Sequence, residues 1–331
     1  MREDAWLART PEEALEPQRP ICDPHHHLWE HPESTYVTAD LLADAAGQRI
    51  EETVFVECSS GYRESGPEPL RPVGETDYVE RLAAENAAAG GTTKLAAGIV
   101  GFADLRQGAA VREVLEAHVE ASPRFRGIRH ANAWHPSDQI RRSHVDPPEG
   151  LLGHAEFREG LRELGRMGLS FDAWMFHTQI PELTDLARAF PDVAIVLDHV
   201  GGPLGIGPYA DKRADVYAAW RPAISELASC ANVSVKVGGM TMPINGFEFH
   251  KRDTPPGSVE LAEALSPWYL HVIDRFGPDR CMFESNFPVD RASCSYTVLW
   301  NAFKRMSSGY SESERDDLFR GSARRFYRLG T

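Results

Sequence analysis

The chain has 331 residues, 42% of them hydrophobic and 25% charged, with a formal net charge of −14. A nucleic-acid binder neutralises phosphates with clustered lysine and arginine, so that balance argues against such a partner and fits a soluble acidic surface. No apolar run approaches the roughly 20 residues that span a bilayer, so no membrane partner is expected either. The five cysteines, Cys22, Cys58, Cys230, Cys281 and Cys294, form no CxxC pair and suggest neither a disulfide framework nor a thiolate zinc site.

In chain order, MREDAWLARTPEEALEPQRP (1 to 19 and the first strand residue) is polar, acidic and proline-bearing. It reads as an arm outside the core. It lacks the basic start and apolar segment of a secretory signal, which points to the cytosol. Eight β-rich runs follow, at 20 to 27, 53 to 58, 95 to 105, 125 to 130, 169 to 177, 193 to 201, 233 to 239 and 281 to 288. Between many of them lie stretches with apolar residues at three- and four-residue spacing, such as DYVERLAAENAAA, AEFREGLRELGRMG and QIPELTDLARAF. Strand and helix alternating eight times predict a parallel sheet closed into a single (β/α)8 TIM barrel over 20 to 331. The last segment, from Ser311, opens with a Ser-x-x-Glu capping box and reads as two short closing helices.

Links from helix back to strand are short (168 to 170, 190 to 192, 277 to 280). Links from strand to helix are long (59 to 76, 131 to 153, 201 to 212, 240 to 257). Barrel active sites are built from the latter, at the carboxyl ends of the strands. The first run, ICDPHHHLWE, places Asp23, His25 and His27 on one face by strand alternation and His26 on the other. Paired imidazoles two residues apart can ligate one divalent ion or hydrogen-bond one substrate oxygen. Other runs also end in polar groups: Glu57, then Arg126, Arg129 and His130, then His177, His199, and finally Glu284 and Asn286. Their convergence on one rim predicts an active site.

DPHHHLW, FRGIRHA, IVLDHVGGP and RCMFESNFPVD, in this order and spacing, resemble the amidohydrolase superfamily, in particular its amidohydrolase-related branch of TIM-barrel hydrolases and lactonases. The resemblance covers about residues 20 to 329. It implies that His25, His27 and His199 are metal ligands or groups that polarise the substrate, and that the substrate is a small molecule. Members of that branch usually read Ser-Asp-aromatic-Pro after strand eight, with the aspartate as base. This chain has Ser285-Asn286-Phe287-Pro288, and an asparagine neither accepts a proton nor offsets a cation. His177 or His199 is then the candidate base, with Asn286 orienting water or substrate.

The resulting expectation is hydrolysis of a carbonyl ester, foremost a lactone of a small organic acid. A metal-dependent decarboxylase is the alternative, and a catalytically silent acid-binding barrel the second. A divalent metal, zinc before manganese on ligand type, and a metal-free mechanism are both open. Arg126 or Arg129 suits an anionic substrate tail. His130, Glu57 and Trp29 are further substrate-site candidates, and Trp134 and Trp174 lie near strand ends. An inward Lys236 is expected to pair with Glu284 below the rim. Gly201 to Gly207, like Gly238 and Gly239, read as flexible loop. Nothing in the sequence fixes the oligomeric state, and a homo-oligomer is open.

Overall fold

A computed structural model describes residues 2–31 and 34–330. Met1 and Thr331, the ends of the arm and barrel ranges above, lie outside them. Among the described residues ten strands occur: β1 (Pro20–His26), β2 (Trp29–His31), β3 (Ser34–Tyr36), β4 (Arg49–Val56), β5 (Lys94–Gly101), β6 (Phe125–Ala131), β7 (Ser170–Trp174), β8 (Ile195–Leu197), β9 (Val233–Val237) and β10 (Cys281–Phe283). Eight form one parallel sheet in the order β1-β4-β5-β6-β7-β8-β9-β10. The last strand returns to the first: Asn286 N donates to His25 O and His27 N to Phe287 O, at 2.9 and 2.8 Å. With helices around the sheet, the fold is the (β/α)8 barrel that the alternation predicts.

All eight β-rich runs are strands of this barrel. Several are shorter than read, because their carboxyl ends turn out of the sheet to carry site residues. β8 stops at Leu197 and β10 at Phe283. β2 and β3 pair as a small antiparallel hairpin beside the mouth, which the sequence reading lacked. The capping box of Ser311 and Glu314 is present, and the closing helices Glu312–Asp316 and Ser322–Phe326 flank a π-turn.

Two apolar layers hold the barrel. One lies between sheet and helices. The other fills the amino-terminal end of the barrel itself, where Cys22, Val54, Val56, Val100, Val196 and Met282 meet Tyr327 and Leu329 of the closing segment. This plug shuts one end, so polar groups inside the barrel can meet solvent or substrate only through the other. The amino-terminal arm crosses the outside. Trp6 Nε1 donates to Arg252 O and Thr10 Oγ1 to Pro255 O, each at 2.9 Å, and Glu12 accepts from Ser258 N at 2.7 Å. The arm thus ties down the long loop after β9.

Candidate active site

Above the plug the barrel interior turns from apolar to charged. Asp172 of β7, Lys236 of β9 and Asp198 just after β8 are fully buried. Lys236 Nζ lies 2.7 Å from Asp172 Oδ2 and 3.1 Å from Asp198 Oδ1. Lys236 therefore points inward as expected, but its partners are these aspartates and not Glu284. Register decides this. Lys236 is level with Met282 on β10, while Leu197 pairs with Val235, which brings Asp198 alongside. Tyr327 of the plug donates to Asp172 Oδ2 at 2.6 Å and ties the floor of the site to the chain's closing turn.

Glu284, one step higher, serves the histidines. Its Oε1 accepts from His199 Nδ1 at 2.6 Å, and its Oε2 lies 2.9 Å from His25 Nδ1. Burial acts to raise its pKa, but His199 and His25 outweigh burial and hold it at about 2. His27 Nδ1 donates to Val56 O at 2.8 Å. His27 and His199 therefore each carry the ring proton on Nδ1 and keep Nε2 as a lone pair. His25 Nε2 and His27 Nε2 face each other at 3.3 Å, with Lys236 Nζ 3.1 Å behind His25 Nδ1. Two imidazole lone pairs at that separation need a positive centre: a proton on His25 Nε2, or a cation. Burial, with Lys236 for His25 and Arg129 for His27, disfavours the charged imidazoles, lowering His27 to about 3 and His25 well below its ordinary value. These two rings are neutral, ligand-competent bases at physiological pH.

His25, Asp198 and His199 each offer one ligand atom within 4.8 Å of the others. Neither oxygen of Asp198 accepts a hydrogen bond of ordinary geometry, nor does Glu284 Oε2. Asp198 stays ionised even so: burial would raise it, but Lys236, His199 and Arg129 together lower it. Among the described residues, the four carboxylates Glu57, Asp172, Asp198 and Glu284, in their ionised forms, are paired with two permanent cations, Lys236 and Arg129, which leaves this group of six two positive charges short. Orphaned acceptors, oriented lone pairs and a deficit of two charges fit one divalent ion held by His25, His27, His199 and Asp198.

The other expected site residues divide. Glu57 and Arg129 are inside: Arg129 Nε donates to Glu57 Oε1 at 2.7 Å and Nη2 to Glu57 O at 2.6 Å, while Nη1 lies 3.5 Å from His25 Nε2. Its fork is already occupied, so it braces the shell and is not free to clamp a substrate carboxylate. Glu57 Oε2 also meets His144 Nε2 of the loop after β6 at 3.2 Å. Trp29 stacks on His27 with ring centroids 6.2 Å apart, and Trp174 meets the His199 ring edge-on at 4.8 Å. Trp134 lies instead beside the Arg142 guanidinium. His26 packs behind the strand on Thr53 and Phe55.

Three candidates do not take the places expected of them. Arg126 sits at the opposite, amino-terminal end of β6, donating to the carbonyls of Pro123 and Phe125. Position along the strand removes it from the site. His130 follows the inward Arg129 and so faces outward, between Phe102 and Phe157, with Nε2 3.3 Å from Asp104 Oδ1. His177 Nδ1 accepts from Leu204 N at 3.3 Å, which puts the ring proton on Nε2. With its one lone pair engaged, His177 is a donor and not a base; burial lowers its pKa to about 4.

Two of the glycines read as flexible loop are also required by close approach. A Cβ on Gly239, whose φ is +69°, would lie 2.3 Å from His199 Nδ1, and one on Gly205 would lie 2.2 Å from Asn245 O. They are places where the backbone must approach closely. Asp198 was missed because alternation sets it opposite His199. The chain leaves strand geometry there, with φ of +54° at His199 and +49° at Val200. Both side chains then turn inward, at the cost of backbone strain that the surrounding contacts hold in place.

His26 gives a pH-dependent prediction. Burial lowers it to about 3. The unfolded chain, with an ordinary histidine, binds more protons between about pH 6.5 and 3, so this residue subtracts stability as pH falls through that window. His26→Gln is therefore expected to gain about 2 kcal/mol relative to wild type between pH 6.5 and 5, as read by urea unfolding at both pH values. An unchanged difference would show that His26 is not held neutral.

Residues 22–329 match the amidohydrolase family, and the chain belongs to it. It is an enzyme of a hydrolase family. A Sinorhizobium fredii protein, y4mH, described as uncharacterized, is 33% identical over 331 residues, covering 93% of this chain and 98% of that protein. The L-fucono-1,5-lactonase of Burkholderia multivorans is 26% identical over 322 residues, covering 93% and 95%. An amidohydrolase from Burkholderia multivorans, solved with bound zinc, superposes with a TM-score of 0.72 at 23% identity, over 94% of this chain and all of the other.

Proposed function

We propose that the chain is a metal-assisted lactonase, with His25, His27, His199 and Asp198 as the residues that hold a divalent ion, zinc first. The observation that carries this reading is the donor set: Nδ1–H groups of His27 and His199 anchored on Val56 O and Glu284, lone pairs turned inward, and an ionised Asp198 whose near polar partner is the Lys236 ammonium at 3.1 Å. A divalent ion at such a set polarises a carbonyl and acidifies water. The chain's own residues do the rest. Glu284 fixes the tautomer of His199 and borders His25, Lys236 sets the height of Asp198, and Trp29 and Trp174 flank His27 and His199 as apolar walls.

Because Arg129 is spent on Glu57, an uncharged lactone suits the centre better than the anionic substrate that the sequence alone suggests. Similarity to a protein named L-fucono-1,5-lactonase supports the same class. The zinc of the similar barrel supports the choice of ion.

The test is a panel of five- and six-membered aldonolactones, L-fucono-1,5-lactone among them, beside aromatic carboxylic acids. Turnover is followed by proton release in weak buffer and by carbon dioxide evolution. One proton per lactone consumed, with no gas from any acid, is expected. Carbon dioxide from an acid with every lactone untouched would replace this reading by the decarboxylase one.

A further inference from the structure

The inner shell's acceptors lie close to cations or to ring N–H groups: Glu284 against His199 and His25, Glu57 against Arg129 and His144, Asp172 against Lys236 and Tyr327, while His177 Nδ1 accepts from the Leu204 amide. The three inner-facing imidazoles and Asp198 would hold the cation of the proposed function. What remains lies just after β10. Asn286, 1% exposed and with φ of +54°, is pinned to the first strand through its N–H on His25 O. One turn later Asp290 is fully buried, and its Oδ2 accepts no hydrogen bond. No lysine or arginine among the described residues forms a salt bridge with it. Its Oδ1 takes a hydrogen bond from Asn286 Nδ2 at 3.4 Å, while its backbone N–H donates to Asn286 O at 3.2 Å.

A buried carboxylate without a counter-cation is costly: burial raises the pKa of Asp290 to about 7, against the opposing effects of His199, Thr241 and Asn286. Its direct polar tie to the centre is the Asn286 amide. A side-chain amide can present either its oxygen or its nitrogen, and an acceptor-only neighbour decides between them. With Nδ2 directed at the ionised Asp290, the amide keeps its oxygen as the free acceptor.

We propose that Asp290 is a positioning residue that fixes the Asn286 amide so that Asn286 Oδ1 accepts from the attacking water. The choice of water rests on the lactonase reading; the fixed amide does not. Reversing the pair should preserve it. In Asn286→Asp two carboxylates meet in a buried space and repel. In Asp290→Asn either amide orientation satisfies the neighbour, so the acceptor is no longer specified. In the double variant, which carries both substitutions, the carboxylate now at position 286 accepts from the amide now at position 290, which restores both the bond and an inward acceptor oxygen.

The experiment is this four-protein cycle, read in kcat and KM on the best lactone and, for wild type and Asp290→Asn, in the side-chain amide NMR signals of Asn286. Each single variant is expected to lose about tenfold or more in kcat with KM within about twofold, and the double to return to within about threefold of wild type. The Asn286 amide signals should be sharp and shifted in wild type and averaged in Asp290→Asn. Unchanged amide signals would overturn the proposal whatever the activity. Changed signals with wild-type kcat in Asp290→Asn, or a double variant no faster than the slower single, would overturn its catalytic use. If wild type opens no lactone while the amide signals still collapse, the positioning stands and the lactonase reading falls.

Discussion

Lys236→Met is expected to cost about 3–5 kcal/mol of folding stability, because it leaves Asp172 without a cation and Asp198 with only the more distant Arg129, at 3.9 Å. Lys236 is fully buried, and its ammonium is the one cation that reaches both aspartates at 2.7 and 3.1 Å. Burial alone would lower the lysine's pKa; Asp172 and Asp198 together raise it. Tyr327 connects the same Asp172 to the plug, so the loss should appear as global unfolding and not as a local change at the mouth. Urea unfolding at neutral pH measures it. Adding Asp172→Asn should recover part of the loss, since one orphaned charge is then removed. A loss under about 1 kcal/mol in the single variant would mean that the aspartates are neutral and that the charge accounting of the whole centre is wrong.

The barrel was legible because each strand is a short β-rich run, most of them followed by a helix with clear periodicity, and because long loops fall on one side. His25 and His27 were legible as a pair two residues apart at the end of β1, whereas Asp23, set on their face by alternation, lies before a register shift and bonds Ser285 and Tyr296. Asp198 was not legible, because left-handed backbone at His199 and Val200 breaks the alternation where both side chains enter the site. Lys236 was rightly turned inward, but its partner depends on register between strands, which a single strand's pattern does not contain. Arg126 and His130 show two further limits. The first has its place decided by height along β6. The second has it decided by the inward turn of Arg129, a choice that only the opposing Glu57 makes. Asp290 carries no sequence signal of its own, since it lies in a turn and matters only through Asn286.

The second large effect concerns the ion. In the proposed donor set, His25, Asp198 and His199 lie within 4.8 Å of one another, His27 Nδ1 is anchored on Val56 O and His199 Nδ1 on Glu284. Replacing Asp198 by alanine removes the anionic ligand and leaves Lys236 with Asp172 alone, which should cost far more in metal affinity than in folding. Replacing His25 removes the ring that touches both Glu284 and His27. Both variants should lose bound metal and lactone hydrolysis together, because apparent metal affinity follows the number of preformed ligands.

The most direct measurement is the metal content of the wild-type protein purified without chelator, by mass spectrometry of the elements, with His25→Ala alongside. About one divalent ion per chain, mainly zinc, is expected in wild type, and less than about 0.1 in the variant. Wild-type protein that hydrolyses lactones while holding less than about 0.2 ion per chain, with activity unaffected by chelator, would contradict the account.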